Sequence, residues 1–143
     1  MRSILLASDH AGFTLKKKLI SYLQENNFNY TDLGCESAIQ SVDYPDYANK
    51  LCQDFNEEKN IGILICGSGI GISIAANRYK NIRAALCFDE ETTKLSRQHN
   101  DANVICLGAR FLDEDKAIKI IKIFLETNFE NGRHQKRIDK LSK

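Results

Sequence analysis

The stretch IGILICGSGIGISI, residues 61–74, joins an unbroken apolar run to a glycine-rich turn and then to a segment of helical character. A continuous apolar run is typical of a central strand that is covered on both faces of a sheet. Gly67, Gly69 and Gly71 leave the backbone room to turn, and their N–H groups can converge at the start of a helix. The stretch therefore predicts a β-strand that leads through a tight loop into an α-helix.

The rest of the chain repeats this alternation of apolar runs and helix-length segments. Strands are predicted at 3–8, 29–34, 61–66, 82–88 and 103–108, and helices at 12–26, 45–58, 70–79, 89–99 and 114–127. In the first helix Lys16, Lys17 and Lys18 are expected on the solvated face, and a last, basic helix is expected at about 131–142. Such alternation predicts βαβ units and a parallel sheet. We expect a single domain over 1–143, folded as a three-layer α/β/α Rossmann-like sandwich with a five-stranded parallel sheet.

Composition excludes several functional classes. The 143 residues carry a formal net charge of +1 and no long basic run, which argues against a nucleic-acid binder. No apolar window is long enough to span a membrane, and the N-terminal apolar run is too short for a signal peptide. The five cysteines are odd in number and form no CxxC pair, so a reduced, cytoplasmic protein without a zinc knuckle is expected.

Polar and reactive residues follow most of the predicted strands. The segments are SDHAG (8–12), CGSGIG (66–71), FDEE (88–91) and GARF (108–111). In open α/β sheets, ligands bind beyond the carboxyl ends of the strands. These segments are therefore expected to form the ligand site.

The glycine loop fits an anion-binding nest, although other interpretations stay open. It lacks the GxxxxGK pattern of a Walker A loop, and a GxGxxG fingerprint would need glycine where Ile72 stands. Asp89 nevertheless lies about where a ribose-binding acid would be, so a non-catalytic nucleotide-binding module remains an alternative. A tight βα turn with no ligand is the other alternative for the loop.

Cys66 occupies an unusual place for a cysteine. Cys87 and Cys106 lie inside predicted strands and are expected to be inert core residues. Cys66 lies at a strand end, where main-chain donors and the start of a helix favour a thiolate. A thiolate there can take a proton from a carbon whose neighbouring carbonyl becomes an oxyanion, and the nest can stabilise that oxyanion.

Histidines and arginines supply further candidates. Arg133 and Arg137 are four residues apart and share one helix face, either as a solvated surface or as a phosphate clamp to which Arg110 could add a third arm. None of the three histidines has the HxxH spacing of a metal site. His99 precedes the fifth strand, so it should lie at the opposite edge of the sheet from Cys66. We therefore expect a homodimer in which a neighbouring subunit supplies His99.

Several ordered stretches together resemble the type B ribose-5-phosphate isomerases, which share a sugar-phosphate isomerase family with the allose- and galactose-6-phosphate isomerases. The stretches are ASDHAGF (7–13), DYPDYA (43–48), CGSGIGISIAANR (66–78), RQHNDANVICLGAR (97–110) and RHQKRI (133–138). The resemblance covers nearly the whole chain.

The resemblance implies reversible interconversion of ribose 5-phosphate and ribulose 5-phosphate, a step of the pentose phosphate pathway, without a metal or an organic cofactor. The same chemistry on a six-carbon sugar phosphate is the alternative. The family's proton-abstracting base corresponds to Cys66 and its ring-opening residue to His99. Its substrate contacts correspond to Asp9, His10, Gly67, Ser68, Gly69, Ile70, Gly71, Asn100, Arg110, Arg133 and Arg137, with Tyr44 and His134 as weaker matches.

Two features set this chain apart within the family it resembles. Ser68 stands where relatives often have threonine, and Ile70 stands where one branch has a catalytic glutamate. Cys66 is therefore the expected base of this loop. Because the chain carries both Cys66 and His99, the resemblance implies a self-sufficient homomer with composite sites, either a dimer or a dimer of dimers.

Overall fold

The computed structural model describes residues 1–142, and five strands in this range form one parallel sheet. The strands are β1 (Ser3–Ser8), β2 (Tyr30–Asp32), β3 (Asn60–Cys66), β4 (Ala84–Leu86) and β5 (Val104–Gly108). Their order across the sheet is β2-β1-β3-β5-β4, and each neighbouring pair is parallel. The predicted five-stranded parallel sheet is confirmed.

Helices cover both faces of this sheet. They are α1 (Phe13–Glu25), α2 (Tyr44–Cys52), α3 (Ile70–Ala76), α4 (Glu90–Asn100) and α5 (Glu114–Glu126). Helices α1, α4 and α5 pack together on one face, whereas α2 and α3 pack together on the other. The three-layer sandwich is therefore confirmed. None of the helices described here combines the length and apolar character that a membrane-spanning segment needs.

Strand β3 shows why its sequence is an unbroken apolar run. Ile63 and Ile65 belong to the core beneath α1 and α5, while Leu64 and Cys66 belong to the core beneath α2 and α3. Successive side chains of a strand point to opposite faces, so a strand with a helical layer on each face buries all of them.

The strand order places a switch point between β1 and β3. After β1 the chain moves outward to β2 at one edge, whereas after β3 it moves to β4 and β5 on the other side. The connections diverge there and leave a crevice beyond the carboxyl ends of the two strands. Asp9 directly follows β1 and Cys66 ends β3, so both lie at this crevice.

Several helices end earlier than predicted. The predicted helix over 45–58 ends at Cys52, and Asn56 Oδ1 then accepts the N–H groups of Glu58 and Lys59 in a local turn. Helix α3 ends at Ala76 because the side chain of Asn77 bonds both the N–H and the C=O of Ala84.

The C-terminal basic helix expected at about 131–142 is wrong in extent. The chain forms a 3₁₀ turn at Gly132–His134 and one helical turn, α6, at Gln135–Ile138. Asn131 and Gly132 both have left-handed backbone angles, with φ of 62° and 58°, and cannot begin an ordinary helix. The expectation for Lys16 is also wrong, because its side chain is fully buried.

Candidate active site

The loop after β3 holds the sulfur of Cys66 against the main chain. The N–H of Gly69 donates to Cys66 Sγ at 3.1 Å, and the N–H of Ile70 donates to Ser68 Oγ at 3.2 Å. Gly69 has a φ of 78°, and a Cβ there would lie 2.5 Å from Leu86 Cδ1. Only glycine fits this position without strain. The loop therefore places a main-chain donor where negative charge on the sulfur would be stabilised.

Arg110 lies over the same loop. Its main-chain N–H donates to the carbonyl of Gly67 at 3.0 Å, which brings the turn after β5 against the turn after β3. A Cβ on Gly67 would lie 2.7 Å from Arg110 Nη1, so the guanidinium rests on the glycine. The loop and the guanidinium together form a positively polarised surface suited to an oxyanion or a phosphate.

Asp9 and His10 reach the crevice from the end of β1. The N–H of Asp9 donates to the carbonyl of Ile65 at 3.2 Å, so Asp9 is next to Cys66, and its carboxylate accepts the N–H of Gly12 at 3.1 Å. His10 Nδ1 accepts the N–H of Val42 at 3.1 Å. With Nδ1 as an acceptor, the neutral imidazole carries its proton on Nε2 and can donate it to a ligand.

Tyr44, the first residue of α2, covers another part of the loop. A Cβ on Gly71 would lie 2.5 Å from Tyr44 Cζ, so the absence of a side chain at Gly71 allows the ring to approach. Tyr44 is 39% exposed and lines a cavity of about 450 Å³ with Gly71. The structure thus brings together one half-site, formed by Asp9, His10, Tyr44, residues 66–71 and Arg110.

The other predicted residues gather in a second half-site. His99, Asn100, Arg133, His134 and Arg137 line a cavity of about 340 Å³. His99 and Asn100 end α4, which leads into the amino end of β5, whereas Cys66 pairs with Gly108 at the carboxyl end of that strand. At about 3.3 Å per residue, the strand separates the two levels by ~13 Å. A single chain does not bring Cys66 and His99 together.

Two imidazoles dominate the second half-site. The rings of His99 and His134 stack with centroids 4.4 Å apart and planes within 16°. Burial of His134, together with the neighbouring His99 and Arg133, lowers the pKa of its imidazole. Glu130, which is not among the residues predicted from the sequence, has Oε2 3.7 Å from His134 Nε2. The sequence carries no signal for it, because the contact forms only when the segment after α5 folds against α4.

His99, Glu130 and His134 present donor atoms within 4.8 Å of one another, a grouping that a transition metal can use. Arg133 and Arg137 line the same cavity, and their positive charges oppose a bound cation. The cluster therefore suits an anionic ligand better than a metal ion.

Comparison with known proteins identifies the family. A family described as Ribose/Galactose Isomerase matches residues 4–141. The chain belongs to this family. It is 40% identical over 143 residues to the ribose-5-phosphate isomerase B of Escherichia coli. The alignment covers 99% of this chain and 95% of that protein.

Solved structures of ribose/galactose isomerases superpose closely on this one. Ribose 5-phosphate isomerase B from Anaplasma phagocytophilum is 48% identical, with a TM-score of 0.94 and coverage of 99% of this chain and 97% of that one. Ribose-5-phosphate isomerase B from Mycoplasma genitalium with bound ribulose-5-phosphate is also 48% identical, with a TM-score of 0.93 and coverage of 97% and 93%.

Three other cysteines of this ribose/galactose isomerase are unsuited to the role of base. Burial raises the pKa of the Cys52 thiol to about 12, and it also raises the pKa values of Cys87 and Cys106. Asp89, the acid of the nucleotide alternative, caps α4 by accepting the N–H and hydroxyl of Thr92, both at 2.8 Å. An acceptor already used by the helix disfavours a ribose-binding role.

Proposed function

We propose that this chain is an aldose–ketose isomerase that interconverts ribose 5-phosphate and ribulose 5-phosphate through an enediolate. One observation carries the proposal: Cys66 Sγ accepts a main-chain N–H within a glycine loop at the switch point of the sheet. Relatives named ribose-5-phosphate isomerase B, one of them with bound ribulose-5-phosphate, support the choice of sugar.

In this proposal Cys66 performs the proton transfer. The thiolate removes the proton from C2 of the open-chain aldose, and the thiol so formed gives a proton to C1. The proton of the C2 hydroxyl passes to O1 in the enediolate, so that the ketose forms and the thiolate is restored. The electron pair from the broken C–H bond moves onto the neighbouring carbonyl oxygen, where N–H groups of the 67–71 loop other than those of Gly69 and Ile70 stabilise it. Asp9 and the Nε2–H of His10 orient the sugar hydroxyl groups. A general base of this kind contributes roughly 10²–10⁴ to the rate.

The second half-site opens the sugar ring and holds the phosphate. We assign ring opening to His99 and a sugar contact to Asn100. We assign phosphate binding to Arg133 and Arg137, since one guanidinium group can donate two parallel hydrogen bonds to two phosphate oxygens. Arg110 reaches the substrate from the Cys66 side. Both half-sites are needed for one turnover, so we propose that two copies of the chain form each site.

Apolar side chains near the half-sites support a contact between copies. Ile70 and Ile74 on α3 are 52% and 53% exposed, beside the Cys66 loop. Leu141 is 64% exposed and lines the cavity of the second half-site. Exposed apolar groups of this kind mark association surfaces. The five free cysteines fit a reducing compartment, and we propose a cytoplasmic location.

The experiment that tests this function follows ribose 5-phosphate in heavy water by NMR at C1 and C2. Wild-type protein should form ribulose 5-phosphate, and Cys66→Ala should lower kcat by roughly 10²–10⁴. Cys106→Ala, which alters a fully buried thiol, is the matched control and should keep kcat near the wild-type value.

Equal rates in wild type and Cys66→Ala would remove Cys66 from its role. Turnover of allose 6-phosphate without turnover of ribose 5-phosphate would assign the chain to six-carbon sugars.

A further inference from the structure

Glu130 lies opposite two stacked imidazoles, and the main chain holds it there. Its Oε2 is 3.7 Å from His134 Nε2 and 4.0 Å from His99 Nε2. These distances exceed those of a hydrogen bond, so the contact is electrostatic. The N–H of Glu130 donates to the carbonyl of Gln98 at 3.0 Å, which ties the segment after α5 to the last turn of α4.

The charges around the pair act in opposite directions on a bound proton. Two imidazolium rings with centroids 4.4 Å apart would repel each other, so protonation of one ring disfavours protonation of the other. Arg133 in the 3₁₀ turn and Arg137 in α6 also oppose positive charge on His134, whereas Glu130 favours it. Among the groups that act on the pKa of His134, Glu130 raises it, while burial, His99, Arg133 and Arg137 lower it.

The proposed reaction needs such a proton. Opening a furanose requires a group that gives a proton to the ring oxygen while the bond to C1 breaks, and the C1 hydroxyl loses its own proton to water as the carbonyl forms. Without a counter-ion, the pair would lose its proton at a lower pH, because the two arginines oppose positive charge on His134. A carboxylate beside Nε2 keeps the proton on the pair, available to His99.

We propose that Glu130 is a positioning residue that keeps one proton on the His99–His134 pair, so that His99 can act as the acid in ring opening. The inference rests on the proposed isomerase function and adds a residue to it. Glu130 acts through the two imidazoles and makes no contact with the sugar.

The test compares Glu130→Gln with Glu126→Gln, which removes the same charge from an exposed position at the end of α5, four residues earlier. The chemical shifts of the imidazole Cε1 protons of the three histidines are followed by NMR as a function of pH, without substrate. In Glu130→Gln the midpoint for deprotonation of the pair should fall by about 0.5–1 pH unit, while Glu126→Gln should leave it unchanged.

Kinetics with ribose 5-phosphate supply the second measurement. In Glu130→Gln the alkaline limb of the kcat profile should move to lower pH, with a loss of about 3–10-fold on that limb and an unchanged KM. Glu130→Asp keeps the charge and should restore much of the wild-type profile. The acid limb should not move.

Unchanged histidine titration in Glu130→Gln, or an equal shift in Glu126→Gln, would overturn the inference. An altered titration with an unmoved kcat profile would also overturn it. Failure of the isomerase proposal gives a separate result, since wild-type protein would then not turn over ribose 5-phosphate while the NMR titration would still report on the pair.

Discussion

At the scale of single residues, Gly69 and Gly71 of the loop after β3 have different structural roles. A Cβ at Gly69 would lie 2.9 Å from the main-chain carbonyl carbon of Leu107. Leu107 is part of β5, whose backbone is held by hydrogen bonds to β3 and β4 and cannot shift to make room. A Cβ at Gly71 would meet the ring of Tyr44, a side chain that is 39% exposed and can rotate. Glycine at position 69 is thus required by the fold, whereas glycine at position 71 leaves space for Tyr44 to approach the site.

This difference predicts different phenotypes for alanine substitutions at Gly69 and Gly71. Gly69→Ala should lower the free energy of unfolding by about 1–3 kcal/mol, because alanine at a φ of 78° is strained, and should abolish activity. Gly71→Ala should change the unfolding free energy by less than about 1 kcal/mol but raise KM by displacing Tyr44. Urea unfolding and steady-state kinetics measure both. A wild-type KM in Gly71→Ala would show that Tyr44 plays no part in binding.

At the scale of elements, an ion pair inside the structure ties α1 to the sheet. Lys16 is fully buried, and its ammonium group donates to Asp32 at the end of β2 and to the carbonyl of Cys35 at 2.8 Å. The segment that follows carries Val42, whose N–H holds His10, and then Tyr44. Lys16 therefore fixes the start of a segment that shapes the first half-site.

Removing either partner should destabilise the protein to a different extent. Lys16→Met leaves Asp32, 31% exposed, within reach of water and should cost about 1–3 kcal/mol of unfolding free energy. Asp32→Ala leaves a buried ammonium without its carboxylate and should cost more, about 3–5 kcal/mol. Lys18→Met, which breaks an exposed pair with Glu114, is the control and should cost less than about 1 kcal/mol. If urea unfolding showed that Lys16→Met loses no more unfolding free energy than Lys18→Met, this account would be contradicted.

The cap of α4 predicts a pH-dependent contribution to stability. The N–H and hydroxyl of Thr92 stabilise the carboxylate of Asp89 and lower its pKa below the ordinary value of 3.8. A lowered pKa stabilises the fold above the unfolded value and loses that effect as the pH falls through the folded value. Asp89→Ala should therefore lower Tm at pH 7 by roughly 2–6 °C, and the difference from wild type should shrink below pH 4.

Thermal unfolding between pH 2.5 and 7 measures this effect. Asp115→Ala, in the first turn of α5, serves as the control because Asp113 caps that helix. A difference between wild type and Asp89→Ala that stayed constant with pH would exclude the carboxylate as its source.

The same elements show what the sequence could predict. The strand and loop at 61–71 were predictable because an unbroken apolar run and alternating glycines each have one main structural cause. The ends of α2 and α3 were not, because they depend on the side chains of Asn56 and Asn77, which bond groups that become neighbours only in the fold. Lys16 was misplaced for the same reason, since its partner Asp32 lies on another element.

The candidate site divides along similar lines. Residues next to strand ends, such as Asp9, Cys66 and Arg110, were predictable because parallel strands bring their carboxyl ends to one edge. Glu130 was not, because its significance depends on the stacking of His99 on His134, which joins α4 to the 3₁₀ turn.

At the scale of the whole molecule, the separation of the half-sites along β5 makes a quantitative prediction about association. If each site combines Cys66 of one copy with His99 of another, Cys66→Ala and His99→Asn are each inactive alone. In a mixed dimer, however, one site is intact, because each chain supplies the residue that the other lacks. Random mixing makes half of the dimers mixed, so activity should recover to about a quarter of the wild-type value.

The mixing experiment requires exchange of subunits, by mild denaturation and refolding or by co-expression with two affinity tags. Size-exclusion chromatography of the purified mixed species gives the assembly state on which the activity is measured. The double variant Cys66→Ala/His99→Asn, mixed with wild type, is the control, because it contributes no functional residue to a mixed dimer. Recovery absent from a purified mixed dimer would show that one chain completes its own site, and the ~13 Å between the two levels of the sheet would then have to be closed by movement within the chain.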